Sequence, residues 1–127
     1  MQASPPLVVG VEIGDVARAY DWNQLVKRRL VQDEVEGTSL LAVADEEGSS
    51  AFVYDRSVDG TALEFTLDGD GFKDSGTGSS WDLFGRCVKG KLKGRHLTQL
   101  QSYKQYVRAW VTFHPTASFY DFQNDGK

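Results

Sequence analysis

"LVQDEVEGTSLLAVADEEGSSAFVYDRSVDGTALEFTLDGDG", residues 30–71, is cut into short apolar runs by "EG", "DEEG", "DG" and "DGDG". Each cut places glycine beside an acidic residue, the chemistry of turns that join antiparallel strands, so the stretch reads as a β-meander. Within it "TALEFTL" (61–67) sets Ala62, Glu64 and Thr66 against Leu63, Phe65 and Leu67. That period of two predicts one half-buried strand.

Outward toward the N-terminus, "PPLVVGVEIGD" (5–15) is an apolar, β-branched run closed by Gly14 and Asp15, a strand followed by a turn. In "DVARAYDWNQLVKRRL" (15–30) the apolar residues do not alternate, which predicts a short helix or helical turn, with Asp21 as a cap for a second piece. Toward the C-terminus, "DSGTGSS" (74–80) is a loop, and "WDLFGRCVKG" (81–90) reads as a strand interrupted at Gly85, where a bulge or a close backbone approach is expected. Gly90 and Gly94 punctuate a hairpin in "KGKLKGRHLTQL" (89–100). From Leu100 the spacing of Tyr103, Val107, Trp110 and His114 predicts a helix. Thr98 with Gln101, or Ser102 with Gln105, would start it, and Pro115 would stop it. "TASFYDF" (116–122) returns as a final edge strand, and residues 121–127 are read as a frayed tail.

These elements predict one mainly β (α+β) domain over residues 1–127. Its centre is a curled antiparallel sheet or partly open barrel, with a short N-terminal helix and a C-terminal amphipathic helix packed on it. Tyr103, Val107 and Trp110 are expected to face the sheet. A chain of 127 residues, 40% of them hydrophobic, is long enough for one core.

Charge and composition narrow the function classes. Fourteen basic against eighteen acidic residues leave a formal charge of −4, which argues against a nucleic-acid partner, since phosphates call for a basic surface. No apolar run approaches the ~20 residues of a membrane helix, and the first residues lack a signal-peptide pattern, so the chain as given reads as soluble with its compartment open. One cysteine, Cys87, excludes an internal disulfide.

The glycines of "GDGFKDSGTGSS" (69–80) match neither the Lys-Ser/Thr ending of a phosphate loop nor the dinucleotide fingerprint. Asp68, Asp70 and Asp74 suggest calcium, but Phe72 interrupts the ligand pattern and no glutamate closes it. Cys87 could act as a nucleophile with His96 or His114 as base, or join them as weak metal candidates; equally, it could be a buried apolar filler. Lys89, Lys91, Lys93 and Arg95, spaced by two, would form a cationic stripe on an extended ribbon, or a charged edge that blocks aggregation. There is no Gly-x-Ser-x-Gly elbow and no His-Glu-x-x-His pair. No catalytic residue and no cofactor is predicted.

Five segments carry a resemblance: "GVEIGDVARAY", "VQDEVEGTSLLAV", "AFVYDRSVDGTALEF", "DSGTGSSWDLFGRCVKGKLKGRHLTQL" and "YVRAWVTFHPTASFY". In order and spacing they resemble the prokaryotic domain of unknown function family 3179, from about Gly10 to Tyr120. The resemblance implies no activity, since the family is named for the lack of one. Many relatives carry a Cys-Pro-Leu-Cys type segment before the Asp-Arg element, where this chain has "AVADEEGSSAFVYDR" (42–56) and no cysteine, so any thiol or metal role of that segment does not transfer. Where Cys87 stands the family pattern has alanine, which fits a small buried position. Longer relatives are often preceded by export signals or membrane anchors.

The polar residues that match the family pattern, Asp55, Arg56, Ser79, Trp81 and Arg86, together with His114, are the candidate binding set. An arginine held by an aspartate near a tryptophan either pins strands together or lines a pocket. The leading expectation is a non-catalytic module that binds a small molecule or protein through the 68–80 loop, Trp81, Arg56 and Arg86. A metal- or thiol-dependent enzyme built on Cys87, His96 and His114 is the alternative. A third is self-association, as a homodimer, through the edge at "LEFTL" (63–67) or "SFYDF" (118–122).

Overall fold

The computed structural model describes residues 6–45 and 47–123. β1 (Leu7–Ile13) and β2 (Val16–Asp21) lead into α1 (Trp22–Arg28), and β3 (Leu30–Val35), β4 (Thr38–Ala44) and β5 (Ala51–Asp55) form the meander. A hairpin of β6 (Ser57–Val58) and β7 (Thr61–Ala62) follows, then β8 (Phe65–Asp68), β9 (Gly71–Asp74), β10 (Ser80–Trp81) and β11 (Cys87–Lys89). The last elements are β12 (Thr98–Leu100), β13 (Ser102–Tyr106), α2 (Val107–Phe113) and β14 (Ser118–Phe119).

The fold is mainly β. Among the described residues three four-stranded sheets run β13-β1-β2-β14, β12-β5-β4-β3 and β11-β10-β9-β8, and none closes into a barrel. The middle one organises the core. Leu40, Ala42 and Ala44 of β4 pack with Val9, Val11 and Tyr20, whereas Leu41 and Val43 pack with Phe65, Phe72 and Trp81. Successive residues of a strand face opposite ways, so β4 is buried on both sides and its sequence reads as an unbroken apolar run. The β3–β4 turn has both central residues, Glu36 and Gly37, at positive φ (50° and 77°), the twist that a two-residue hairpin needs.

On β1 the same alternation sends Val8 and Gly10 to the outer face of the first sheet, where they meet Trp110 of α2. A Cβ on Gly10 would stand 2.5 Å from the Trp110 ring, so glycine is what lets the indole lie on the strand. Between the first two sheets, Tyr20 donates to Asp33 at 2.9 Å and Arg18 pairs with the same carboxylate. Burial, then the Asp33 charge, push the Tyr20 hydroxyl far above its ordinary value and keep it a neutral donor.

Three elements differ from the sequence reading. Residues 16–21 form strand β2, and helix begins only at Trp22, where Asp21 caps it by accepting from the Gln24 amide at 2.9 Å. Residues 98–106 are strands rather than the first turns of a helix, and α2 starts at Val107 with Tyr106 as an N-cap that makes no side-chain bond, so neither anticipated capping box is used. Tyr103 and Trp110 still meet, because Tyr103 pairs opposite Gly10 in the sheet and α2 folds back over that glycine. "TALEFTL" splits into β7 and β8 around Leu63, whose amide bonds Arg56 O at 2.9 Å.

The lysine stripe is not an extended ribbon. β11 ends at Lys89, and Gly94 N and Arg95 O both bond back to the Cys87 backbone, closing residues 90–94 into a turn. β14 is an edge strand, paired in parallel with β2, and β8 is the edge of the third sheet. The frayed tail expected over residues 121–127 begins later than that: Phe122 is buried in the core against Tyr120, and Arg28 donates to its carbonyl at 2.8 Å, while residues 124–127 lie outside the described residues. No helix among the described residues is long and apolar enough to cross a membrane.

Candidate functional site

Trp81 of β10 pairs with Phe72 of β9 on one side and Cys87 of β11 on the other, and its ring meets Phe65 edge-on at 5.7 Å. Its indole N–H donates to Asp74 Oδ2 at 2.9 Å. The other Asp74 oxygen accepts from the Thr77 amide (2.6 Å) and the Thr77 hydroxyl (2.8 Å). That hydroxyl lies 2.7 Å from Ser79 Oγ, which also accepts from the Leu92 amide at 3.1 Å. Burial raises the Asp74 carboxyl, but the Trp81 and Thr77 donors outweigh it and hold the group below the usual carboxylate range. Asp74 and Ser79 are buried and fully engaged. The glycine- and serine-rich loop is therefore a knot that fixes Trp81.

The next segment is fixed as firmly. Asp82 accepts from the Phe84 and Arg86 amides, both at 3.0 Å, and pairs with the Arg86 guanidinium at 2.8 Å. Tyr54 donates to Leu83 O at 2.7 Å, and Gly85, at φ +80°, lies so close to the Tyr54 ring that a Cβ would come within 2.8 Å of it. This frame displays Phe84, 60% exposed, with Val88, 50% exposed, beside it.

Phe84 and Val88, together with Trp81 and Leu83, form the apolar floor of a groove of about 540 Å³. Its rim carries Asp45 and Glu47 from the β4–β5 turn, Asp68 and Asp70 from the β8–β9 turn, and Asp82. Asp45 lies below the usual carboxylate range because the Ser49 amide and hydroxyl bond it. The groove can hold a group with an apolar body and positive charge.

Trp81 alone of the candidate binding residues lines this groove. Ser79 lies behind it, and Arg86 holds Asp82 in place. Arg56 is buried and clamps strands: Nε donates to Leu40 O at 2.9 Å and Nη1 to Leu63 O at 2.9 Å, with Glu64 at 3.0 Å. It does not pair with Asp55, which accepts from the Ser57 amide at 3.0 Å. His114 lies on the first sheet, 3.2 Å from Glu12 and stacked near Trp110 with ring centroids 4.1 Å apart.

Cys87 is buried, with its Sγ toward Lys89 O at 3.5 Å. Cys87 and His96 border one depression and His114 another. No group of three or more His, Cys, Asp or Glu among the described residues is placed to hold a metal. Of the three aspartates considered for calcium, Asp74 is buried against Trp81 while Asp68 and Asp70 stay on the exposed rim.

Phe84, Val88, Asp45, Glu47 and Asp82 escaped the sequence reading. For Asp82 a signal existed, since an aspartate before "LFGR" can cap two later amides. Nothing local links the turn at 45–47 to the turn at 68–70.

A model of the family described as "Protein of unknown function (DUF3179)" matches residues 3–117. No curated protein and no solved structure matches the chain.

Proposed function

The chain belongs to the DUF3179 family, and on that premise we propose that it is a non-catalytic interaction module whose groove beside Trp81 takes a cationic peptide segment. The observation that carries this reading is the solvent-exposed Phe84, held in its loop by the Tyr54 and Asp82 bonds and lining a carboxylate-rimmed groove. An exposed aromatic in a fixed loop costs little ordering on binding; the Arg86 guanidinium already lies 5.6 Å from the Phe84 ring centroid and the Phe52 ring 5.8 Å from it, and the surface left exposed is open to an aliphatic stem whose charge reaches the rim. Glu47, Asp68 and Asp70 have no ion-pair or hydrogen-bond partner among the described residues, so they are available to a cation. Each exposed contact contributes under about 1 kcal/mol, which makes the binding weak and salt-sensitive.

In this reading Trp81 is the floor of the site, Ser79 supports it through Thr77 and Asp74, Arg86 holds the rim carboxylate Asp82, and Asp55, Arg56 and His114 lie outside. The burial of Cys87 and its separation from His114 favour binding over thiol chemistry. The test is calorimetric titration with a short Lys-Leu-Lys peptide and its Glu-Leu-Glu counterpart. Binding of the first alone, weakened by Asp68→Asn with Asp70→Asn, is expected; equal binding of both peptides would overturn the reading.

A further inference from the structure

The exposed apolar pair Phe84 and Val88 has opposite charges on its two sides. Val88 borders both the acidic groove and a second depression, of about 450 Å³, whose wall includes Arg86, Lys93, Arg95 and His96. Arg86 and Arg95 are neutralised locally, by Asp82 at 2.8 Å and Asp59 at 2.7 Å. Lys89, Lys91 and Lys93 in the adjoining turn are exposed and have no ion-pair partner among the described residues. Three unpaired lysines and three unpaired rim carboxylates, Glu47, Asp68 and Asp70, thus flank one exposed strand of the same chain.

We infer that the cationic segment taken by the groove is the Lys89–Lys93 turn of a second copy of this chain, the two copies meeting about a two-fold axis near Phe84 and Val88. The inference rests on the groove reading above. A two-fold contact is self-complementary: residue i of one copy meets residue j of the other, and j meets i. Rotation by 180° about the apolar centre carries each lysine turn onto the partner's carboxylate rim, so both turns are used at once. Removing Phe84 and Val88 from water supplies the non-ionic part of the contact. A contact held by exposed ion pairs around two apolar side chains makes a weak, reversible, salt-sensitive dimer.

Sedimentation velocity of the full chain over a concentration series tests it. The wild-type chain dimerises reversibly. Lys89→Glu with Lys91→Glu and Lys93→Glu weakens association by at least about tenfold, and so does Glu47→Lys with Asp68→Lys and Asp70→Lys. An equimolar mixture of the two variants restores the dimer, which a merely misfolded variant could not do. A wild-type chain that stays monomeric, variants that dimerise like wild type, or a mixture that fails to re-associate while both variants keep the wild-type circular dichroism would each overturn it. The lysine-turn variant keeps its groove intact. If it still binds the Lys-Leu-Lys peptide while the wild type is monomeric, the dimer falls and the groove reading stands; if peptide and dimer are both absent, both fall.

Discussion

The Trp81 indole N–H donates to the Asp74 carboxylate at 2.9 Å, and both residues are buried. The carboxylate also satisfies the amide and hydroxyl of Thr77, so one side chain holds three donors, the indole N–H buried and the two Thr77 groups partly so. Asp74→Ala is expected to cost roughly 2–4 kcal/mol by orphaning them, and Asp74→Asn less, because its carbonyl can still accept. Chemical denaturation followed by tryptophan fluorescence measures both.

The same carboxylate sets an acid limit. Its folded pKa lies below the unfolded value near 3.9, so its contribution is fully present above that value and is lost as pH falls through the folded pKa. Asp74→Asn should therefore flatten the loss of stability below about pH 4 and leave the slope near neutrality unchanged. Denaturation midpoints recorded as a function of pH would show this.

Gly10 and Trp110 form a second pair whose geometry predicts coupling. A methyl on Gly10 would lie 2.5 Å from the indole, so Gly10→Ala overpacks the contact and costs roughly 1–3 kcal/mol or more. In a Trp110→Leu background the ring is gone, and the same change should cost much less. A double-mutant cycle measures the difference.

Arg56 differs from an ordinary surface cation. Its guanidinium bonds two main-chain carbonyls 23 residues apart in sequence, Leu40 and Leu63, whereas its carboxylate partner Glu64 is 67% exposed. Arg56→Lys cannot span both carbonyls and should cost roughly 2–4 kcal/mol. Glu64→Gln should change stability by less than about 0.5 kcal/mol. Thermal unfolding of the two variants separates a strand clamp from a simple ion pair.

Cys87 is 3% exposed, so a thiol-specific reagent should react slowly with the native chain and at once in denaturant. Cys87→Ala should leave peptide binding unchanged, because the side chain only fills space beside Trp81.

The parts of this fold legible in the sequence were those set by local chemistry. Glu36–Gly37 announced a hairpin, Asp21 announced a helix start, and Tyr103 with Trp110 announced a shared apolar face. Residues 102–106 misled because their spacing imitates a helix, while the edge of β1 offered them a ladder of hydrogen bonds. Arg56 was legible as a special residue but not as a clamp, because its acceptors are carbonyls, which no sequence marks. The groove was less legible still. Its two rim turns are brought together by the stacking of the second and third sheets, and the exposure of Phe84 depends on Tyr54 and Gly85 holding its loop.

The most direct measurement is a ¹H–¹⁵N correlation spectrum of the lysine-turn variant, whose groove is intact, titrated with the Lys-Leu-Lys peptide. The amides of Gly69 to Gly71 and of Trp81 to Phe84 should shift, together with the Trp81 indole, while the Trp110 indole stays still. Shifts centred on Trp110 and His114, or the same shifts with the Glu-Leu-Glu peptide, would contradict a cation-binding groove beside Trp81.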